Sequence, residues 1–162
     1  MVGMARSKTE ILIRKATKED VPSLVSMELE LVSHVRQFDS NIMAHGIAKM
    51  YSKYFTAQFK RRKIFAFIAE SRGEPIGFII ARFSISPGPF INKKHIYIDD
   101  IYVDRSLRKK GIGSMLVQNV LAIAKKKKIK RILLSVHSKS GALKAYEKMG
   151  FVETRKSMEL NI

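Results

Sequence analysis

Hydrophobic positions along the chain recur in two rhythms, every second residue in some stretches and every third or fourth in others. Together they predict an alternation of strands and helices. Ile11-Leu12-Ile13 is a short apolar run that predicts a first strand. Thr17-Lys18-Glu19-Asp20 predicts a helix start, with Thr17 as N-cap and Asp20 as its partner three residues on. Val21, Leu24, Val25, Leu29, Val32 and Val35 then keep one apolar face to about Phe38. Pro22 sits deep for a first-turn proline and predicts an irregular first turn. A second helix is expected from roughly Ile42 to Phe59, with Met43, Ile47, Met50, Tyr54 and Phe55 on its apolar side.

The rhythm then shortens. Ile64 to Ala69 and Ile76 to Phe83 read as strands, and Ser71-Arg72-Gly73-Glu74-Pro75 between them is a turn by composition, so the pair predicts an antiparallel hairpin. Ser86-Pro87-Gly88-Pro89 breaks the chain before another strand at His95–Val103. From Gly111 to about Lys127 the period is helical again, with Ile112, Met115, Leu116, Val120 and Ile123 on one side. Arg131 to Val136 predicts a buried strand, Ala142 to Met149 a short helix ended by Gly150, and Phe151 to Ile162 one or two final strands. The order β-α-α-β-β-β-α-β-α-β predicts a single α/β domain over residues 1–162, with a mixed sheet.

Composition narrows the classes. The chain has 162 residues, 46% of them hydrophobic, which suffices for a core and excludes a disordered polybasic tail. No apolar run reaches the ~18 residues of a membrane span. Met1 to Arg6 holds no apolar h-region, so no secretory signal is expected. Cysteine is absent, which removes disulfides, thiolate metal sites and any thiol intermediate, and fits a cytoplasmic location. His34, His45, His95 and His137 lack ligand spacing, and no metal is assigned. Lys plus Arg number 31 against 14 Asp plus Glu, a formal charge of +17 that attracts anions: nucleic acid, an anionic surface or a phosphate-bearing cofactor. The run Lys125–Lys128 reads as ordinary cation placement at a helix C-terminus.

The chemistry concentrates in Ile98-Asp99-Asp100-Ile101-Tyr102-Val103-Asp104-Arg105-Ser106-Leu107-Arg108-Lys109-Lys110-Gly111-Ile112-Gly113-Ser114, where a strand enters a basic turn with two glycines and a helix starts. Amides at such a start lack intrahelical partners and, with the positive end of the helix dipole behind them, form an anion site. Gly111 and Gly113 leave room for a phosphate, and Lys109 and Lys110 add positive charge. A dinucleotide fingerprint needs a third glycine where Leu116 stands, and a Walker A loop needs a lysine before Ser114. What remains is Arg-x-x-Gly-x-Gly at 108–113.

In context this segment resembles motif A of the GNAT superfamily of N-acetyltransferases. Ala142-x-x-x-Tyr146-Glu147-Lys148-Met149-Gly150-Phe151 is similar to that family's motif B, and Ile13-Arg14-Lys15-Ala16-Thr17-x-x-Asp20 to its first strand and helix start. The resemblance covers nearly the whole chain and implies a mostly antiparallel twisted sheet flanked by helices, with acetyl-CoA as co-substrate. It places the cofactor in a wedge between the motif A strand and the next one. Ile101-Tyr102-Val103 would bond the pantetheine arm and thioester through backbone groups of Ile101 and Val103. The amides of Arg108, Lys109, Lys110, Gly111, Ile112, Gly113 and Ser114 would hold the pyrophosphate. A Val103 N–H aimed at the thioester oxygen could also stabilise an oxyanion.

With no cysteine, a cysteinyl relay cannot exist, and the acceptor amine must attack directly. Tyr146 matches the family's proton donor to the departing thiolate. Where many relatives place a catalytic Glu, eleven positions before Arg108, this chain has Tyr97. Strand alternation puts Tyr97, Asp99 and Ile101 on one face and Asp100 on the other. Asp99, with Tyr97 or a water chain, is therefore the expected base, and Asp100 is expected to pair with a surface cation. Lys139 stands where motif B often has Asn, and Lys139 and Ser140 are expected near the cofactor phosphates. His137 reads as structural. The acceptor is an amine, of a protein N-terminus or a small molecule. A nucleic-acid- or ribosome-associated binding module on the same shell and a non-catalytic acetyl-CoA-binding domain stand as alternatives, and the oligomeric state is not legible.

Overall fold

A computed structural model describes residues 10–160 and 162; Met1 to Arg6, read above for the absence of a leader, lies outside the described residues. Five strands form one sheet: β1 (Ile11–Lys15), β2 (Phe65–Ser71), β3 (Glu74–Ile85), β4 (Lys94–Val103) and β5 (Ile132–Leu134), in the spatial order β1-β2-β3-β4-β5. The first four run antiparallel to their neighbours, and β5 is parallel to β4. The helices are α1 (Val21–Val35), α2 (Ile47–Lys60), α3 (Ile112–Lys126) and α4 (Leu143–Lys148).

Period-two alternation in β3 divides the core. Phe78 and Ile80 fill a cluster with Val21, Leu24 and Met27 of α1 and Phe55 of α2. Ile79 and Ala81 point the other way, to Ile112, Leu116, Val117 and Val120 of α3. The sheet therefore lies between an α1/α2 layer and an α3 layer. Each large side chain buried this way contributes about 1.5–3 kcal/mol.

At the entry to α1, a 3-10 turn over Lys18–Asp20 precedes the helix, so Pro22 falls in the first turn, where its missing N–H costs nothing. Asp20 Oδ2 accepts from the Thr17 N–H at 2.8 Å, and Arg14 of β1 clamps the same carboxylate at 2.7 and 2.9 Å. Glu70 of β2 accepts from Arg14 Nε at 2.9 Å and joins strand, turn and strand.

Several boundaries differ from the sequence pattern. Helix α1 ends at Val35 rather than Phe38, and α2 begins at Ile47 rather than Ile42. Between them Asp39 accepts from the Asn41 N–H at 3.0 Å, a local bond that competes with helix. The helix then starts from Gly46 in the left-handed region. The hairpin turn is only Arg72-Gly73, both at positive φ, so Ser71, Glu74 and Pro75 belong to strands. Strand β5 has three half-buried residues instead of a buried six. The expected final strand is absent among the described residues from Phe151 onward. That tail is rich in charge, and Val152, Met158 and Leu160 are exposed, so it lacks the packed face that holds a strand on a sheet.

Candidate functional site

Strands β4 and β5 pair only through Ile96 with Ile132, Tyr97 with Leu133 and Ile98 with Leu134. Past Leu134 the chain leaves the sheet, while β4 runs on to Val103 with no described residue paired on that side. The fork is pinned at its apex by Tyr97 Oη and Ser135 Oγ, 2.7 Å apart. Peptide groups of Ile101, Tyr102 and Val103 thus border a wedge instead of a neighbouring strand, and such an unpaired edge is a template for an extended ligand. The side chains are occupied elsewhere. Ile101 and Val103 pack toward α3, and Tyr102 is buried toward α1, where its hydroxyl donates to Glu30.

The turn after β4 is built locally. Asp104 accepts from Ser106 N–H at 2.8 Å and from its hydroxyl at 2.6 Å, which folds the 3-10 turn Arg105–Leu107. Arg108 Nε donates to Val103 O at 3.0 Å, so this guanidinium ties the turn to β4. Gly111, at φ +82°, caps α3. The helical ladder opens with Met115 N–H to Gly111 O at 3.0 Å, so the amides of Gly111, Ile112, Gly113 and Ser114 precede it and remain as outward donors. A Cβ built on Gly111 meets nothing within 4 Å, and the space before the amides is open. Lys109 and Lys110 are exposed beside it, while Ile112 is 1% exposed and serves as an apolar anchor that can offer a ligand only its backbone. Four converging donors next to two ammonium groups suit a diphosphate, so the residues present fit coenzyme A.

The expected faces of β4 need correction. Asp100 lies opposite Ile80 and Ile98 opposite Ala81, which leaves Asp99 as the extra residue of a β-bulge. The bulge resets the alternation. Ile96, Ile98, Ile101 and Val103 all reach the α3 layer, whereas Tyr97, paired with Arg82, and Asp100, paired with Ile80, lie on the α1/α2 side. Ile101 does not share a face with Tyr97, and Asp99 and Asp100 are not held on opposite sides.

Arg82 of β3 forms an ion pair with Asp99, and its guanidinium lies 4.9 Å from the centre of the Tyr97 ring. The residue expected to be the base is therefore already paired, and the Tyr97 hydroxyl is engaged at the fork. Asp100, expected on the surface, is instead half-buried. Burial raises its carboxyl above the ordinary range, and the nearby Arg82 charge offsets part of that rise. Near it stand Glu28 of α1 and Tyr51 of α2. Burial, then the Asp100 charge, pushes Glu28 up as well. Burial, followed by the charges of Glu28 and Asp100, does the same to Tyr51.

Tyr146 of α4 lies within reach of the Asp100 charge, its ring edge-on to Phe151 at 5.9 Å. Burial, followed by the Asp100 charge, pushes its hydroxyl up to about 12, so the phenol is a neutral donor at ordinary pH. Ser140 Oγ accepts from Ala142 N–H at 3.2 Å and shapes the start of α4. Lys139 donates its N–H to His137 Nδ1 at 3.1 Å, and the His137 ring lies 4.8 Å from Phe38.

The acetyltransferase (GNAT) family model matches residues 33–151, from the end of α1 through the fork, the turn and α4. The chain belongs to the acetyltransferase (GNAT) family. It is 29% identical over 144 residues to an uncharacterized N-acetyltransferase of Methanocaldococcus jannaschii, covering 87% of this chain and 60% of that protein. It is 32% identical over 88 residues to mouse N-acetyltransferase family 8 member 3, covering 54% of this chain and 38% of that one. The chain thus spans less than two thirds of the length of either curated relative. A crystal structure of a predicted acetyltransferase with acetyl-CoA from Clostridium acetobutylicum superposes with a TM-score of 0.78 at 25% identity, covering 94% of this chain and 96% of that chain.

Within this GNAT domain, sequence reasoning missed Glu28, Tyr51, Arg82 and Ser135. One signal for Glu28 was legible: an acid four residues after Leu24 and four before Val32 sits inside the apolar stripe of α1. No comparable signal marks Arg82, because only the bulge brings Asp99 to it.

Proposed function

We propose that the protein transfers the acetyl group of acetyl-CoA directly to a primary amine, of a peptide N-terminus or a small molecule, in a ternary complex. The observation that carries this reading is the forked edge of β4, which opens between the bare amides at the start of α3 and the two proton-handling groups Asp100 and Tyr146. When bound, acetyl-CoA supplies an activated acyl carbon. The amides of Gly111–Ser114, with Lys109 and Lys110, hold its diphosphate, and the edge Ile101–Val103 aligns the arm, with Val103 N–H as candidate oxyanion donor. Lys139 and Ser140, in the turn before α4, are the further candidates for the cofactor phosphates.

An alkyl ammonium titrates near ~10.4 and is not nucleophilic until it loses a proton. Asp100 is the better acceptor of that proton than Asp99, because its carboxyl is desolvated and not committed to an ion pair. The neutral amine then bonds to the acyl carbon, the carbon–sulfur bond breaks, and the second proton shed by the nitrogen ends on the departing sulfur, which the Tyr146 hydroxyl steadies by donating a hydrogen bond. The absence of cysteine fits a cytoplasmic setting for this chemistry. Among the described residues no helix is long and apolar enough to cross a membrane.

The decisive experiment is thiol release from acetyl-CoA with a panel of amines and peptides, paired with calorimetry of acetyl-CoA binding to wild type and Gly111→Asp. Amine-dependent release is expected. The variant should lose binding, because it sets a carboxylate against the diphosphate and strains a left-handed position. Undiminished affinity in the variant would reject the turn as the phosphate site. Acetyl-CoA binding without release for any amine would favour a non-catalytic domain. Salt-steep binding of polyanions without acetyl-CoA affinity would favour the nucleic-acid module.

A further inference from the structure

Glu28 lies at the centre of α1 with 1% of its surface exposed, and its Oε2 has no hydrogen-bond partner. Among the described residues no Lys or Arg forms a salt bridge with it. A carboxylate with no cation beside it is disfavoured in such a place, and although the Tyr51 hydroxyl favours the charged form, burial makes the neutral acid the stable one. What faces it is not purely apolar. Tyr51 comes from α2 with Tyr54 near it, and Asp100 comes from the bulge of β4. Behind Asp100 are Arg82 of β3, which pairs with Asp99, and Tyr146 of α4. Asp99 Oδ2 is also buried without a partner. Asp99 and Asp100 thus share a single guanidinium, already paired with Asp99, and Glu28 lies beside Asp100 with no salt-bridged cation of its own, in a chain that carries +17 overall.

We propose that Glu28 is a positioning residue that acts through Asp100: the two carboxyl groups meet at the interface of α1 with the bulged strand, share one proton over the neutral range, and so keep Asp100 a desolvated proton acceptor for the incoming ammonium. This rests on the acetyl-transfer reading above. The proton balance is simple. The acceptor N–H bond breaks and its proton passes to an Asp100 oxygen, Glu28 keeps its own proton, and Asp100 releases the acquired one to solvent after the product leaves. Burial outweighs the Arg82 charge at Asp100, and the protonation of the acid behind it sets how much further negative charge Asp100 faces.

The pair can be read without substrate. Carboxyl carbon NMR titration, with infrared detection of the protonated acid, should show one acid still protonated at neutral pH in wild type. That signal should vanish in Glu28→Gln. In Asp100→Asn, where the neighbouring charge is gone, Glu28 should titrate lower by about one pH unit or more. In the active enzyme, Glu28→Gln should collapse a two-step acid limb of kcat/KM into one step. An ionised Glu28 at neutral pH, a titration unmoved by Asp100→Asn, or superimposable pH profiles would overturn the proposal. Should Glu28→Gln fail to fold, the Asp100→Asn titration still reads the coupling. Failure of acetyl transfer with every amine would instead sink the functional reading and leave the spectroscopic result standing.

Discussion

Tyr146 illustrates how one residue's surroundings set both its availability and its limit as a proton donor. Burial and the neighbouring Asp100 charge hold the phenol neutral, with its hydroxyl pushed up to about 12. A thiolate whose acid titrates near ~8.5 is a weaker base than the phenolate it would leave behind. In its proposed role the hydroxyl would therefore stabilise the departing sulfur chiefly by hydrogen bonding, at the lower end of the range for such catalysis. Tyr146→Phe should reduce turnover by about 100-fold while acetyl-CoA affinity stays similar. Steady-state rates alongside calorimetry check this, and wild-type turnover would return Tyr146 to the role of a ring packed on Phe151. Asp99 and Asp100 make the complementary point. Their types were legible in the chain and their roles were not, because one inserted residue in the ladder sends Asp99 to Arg82 and leaves Asp100 facing Glu28.

At the scale of elements, the close approach of β3 to the end of β4 holds the cofactor edge in place. Gly77 of β3 lies opposite Val103, and a Cβ there would sit 2.7 Å from the Tyr102 carbonyl oxygen. Since that atom is backbone, relief requires moving the end of β4, the same segment that borders the wedge. Gly77→Ala should cost about 1–3 kcal/mol in urea unfolding and weaken acetyl-CoA binding as well. Loss of stability with unchanged binding would show that the strand end is not the cofactor wall.

The Arg14–Asp20 clamp at the start of α1 gives a pH signature. The Arg14 guanidinium, above all through its hydrogen bonds, holds Asp20 down at about 2. A depressed carboxyl stabilises the fold fully above its unfolded value near ~3.9, and that contribution disappears as pH falls through about 2. Arg14 is about one third exposed, so solvent screening reduces the contribution to about 1–2 kcal/mol. Asp20→Asn should be less stable than wild type by that amount at pH 5–7, with the two converging between about pH 4 and 2. A constant difference across that window would deny the clamp. The signals that predicted α3, the hairpin and the capped start of α1 were local, a glycine or an acid at a fixed offset from an apolar run. The start of α2 carried no such mark, since Met43 and Ile42 continue the helical period although Asp39 and Gly46 break the backbone before Ile47.

For the molecule as a whole, charge and fold answer different questions. The +17 excess makes the surface attractive to any polyanion and coenzyme A alike, and says nothing about which wins. The family, the sheet between two helical layers and the bare start of α3 follow from patterns confined to short windows: period, caps and paired glycines. The sequence by itself determined those, because each depends on neighbours within a few residues. The expected last strand failed for the opposite reason. A strand exists only where another edge and a packed face receive it, and those belong to no window of sequence. The same holds for the site's acids. Glu28, Asp100 and Tyr146 come from α1, β4 and α4, and their protonation depends on burial and on charges brought close by folding. Tertiary structure alone decided which carboxyl is paired and which is desolvated, since electrostatic energy is set by separation in space and by the solvent excluded between the groups.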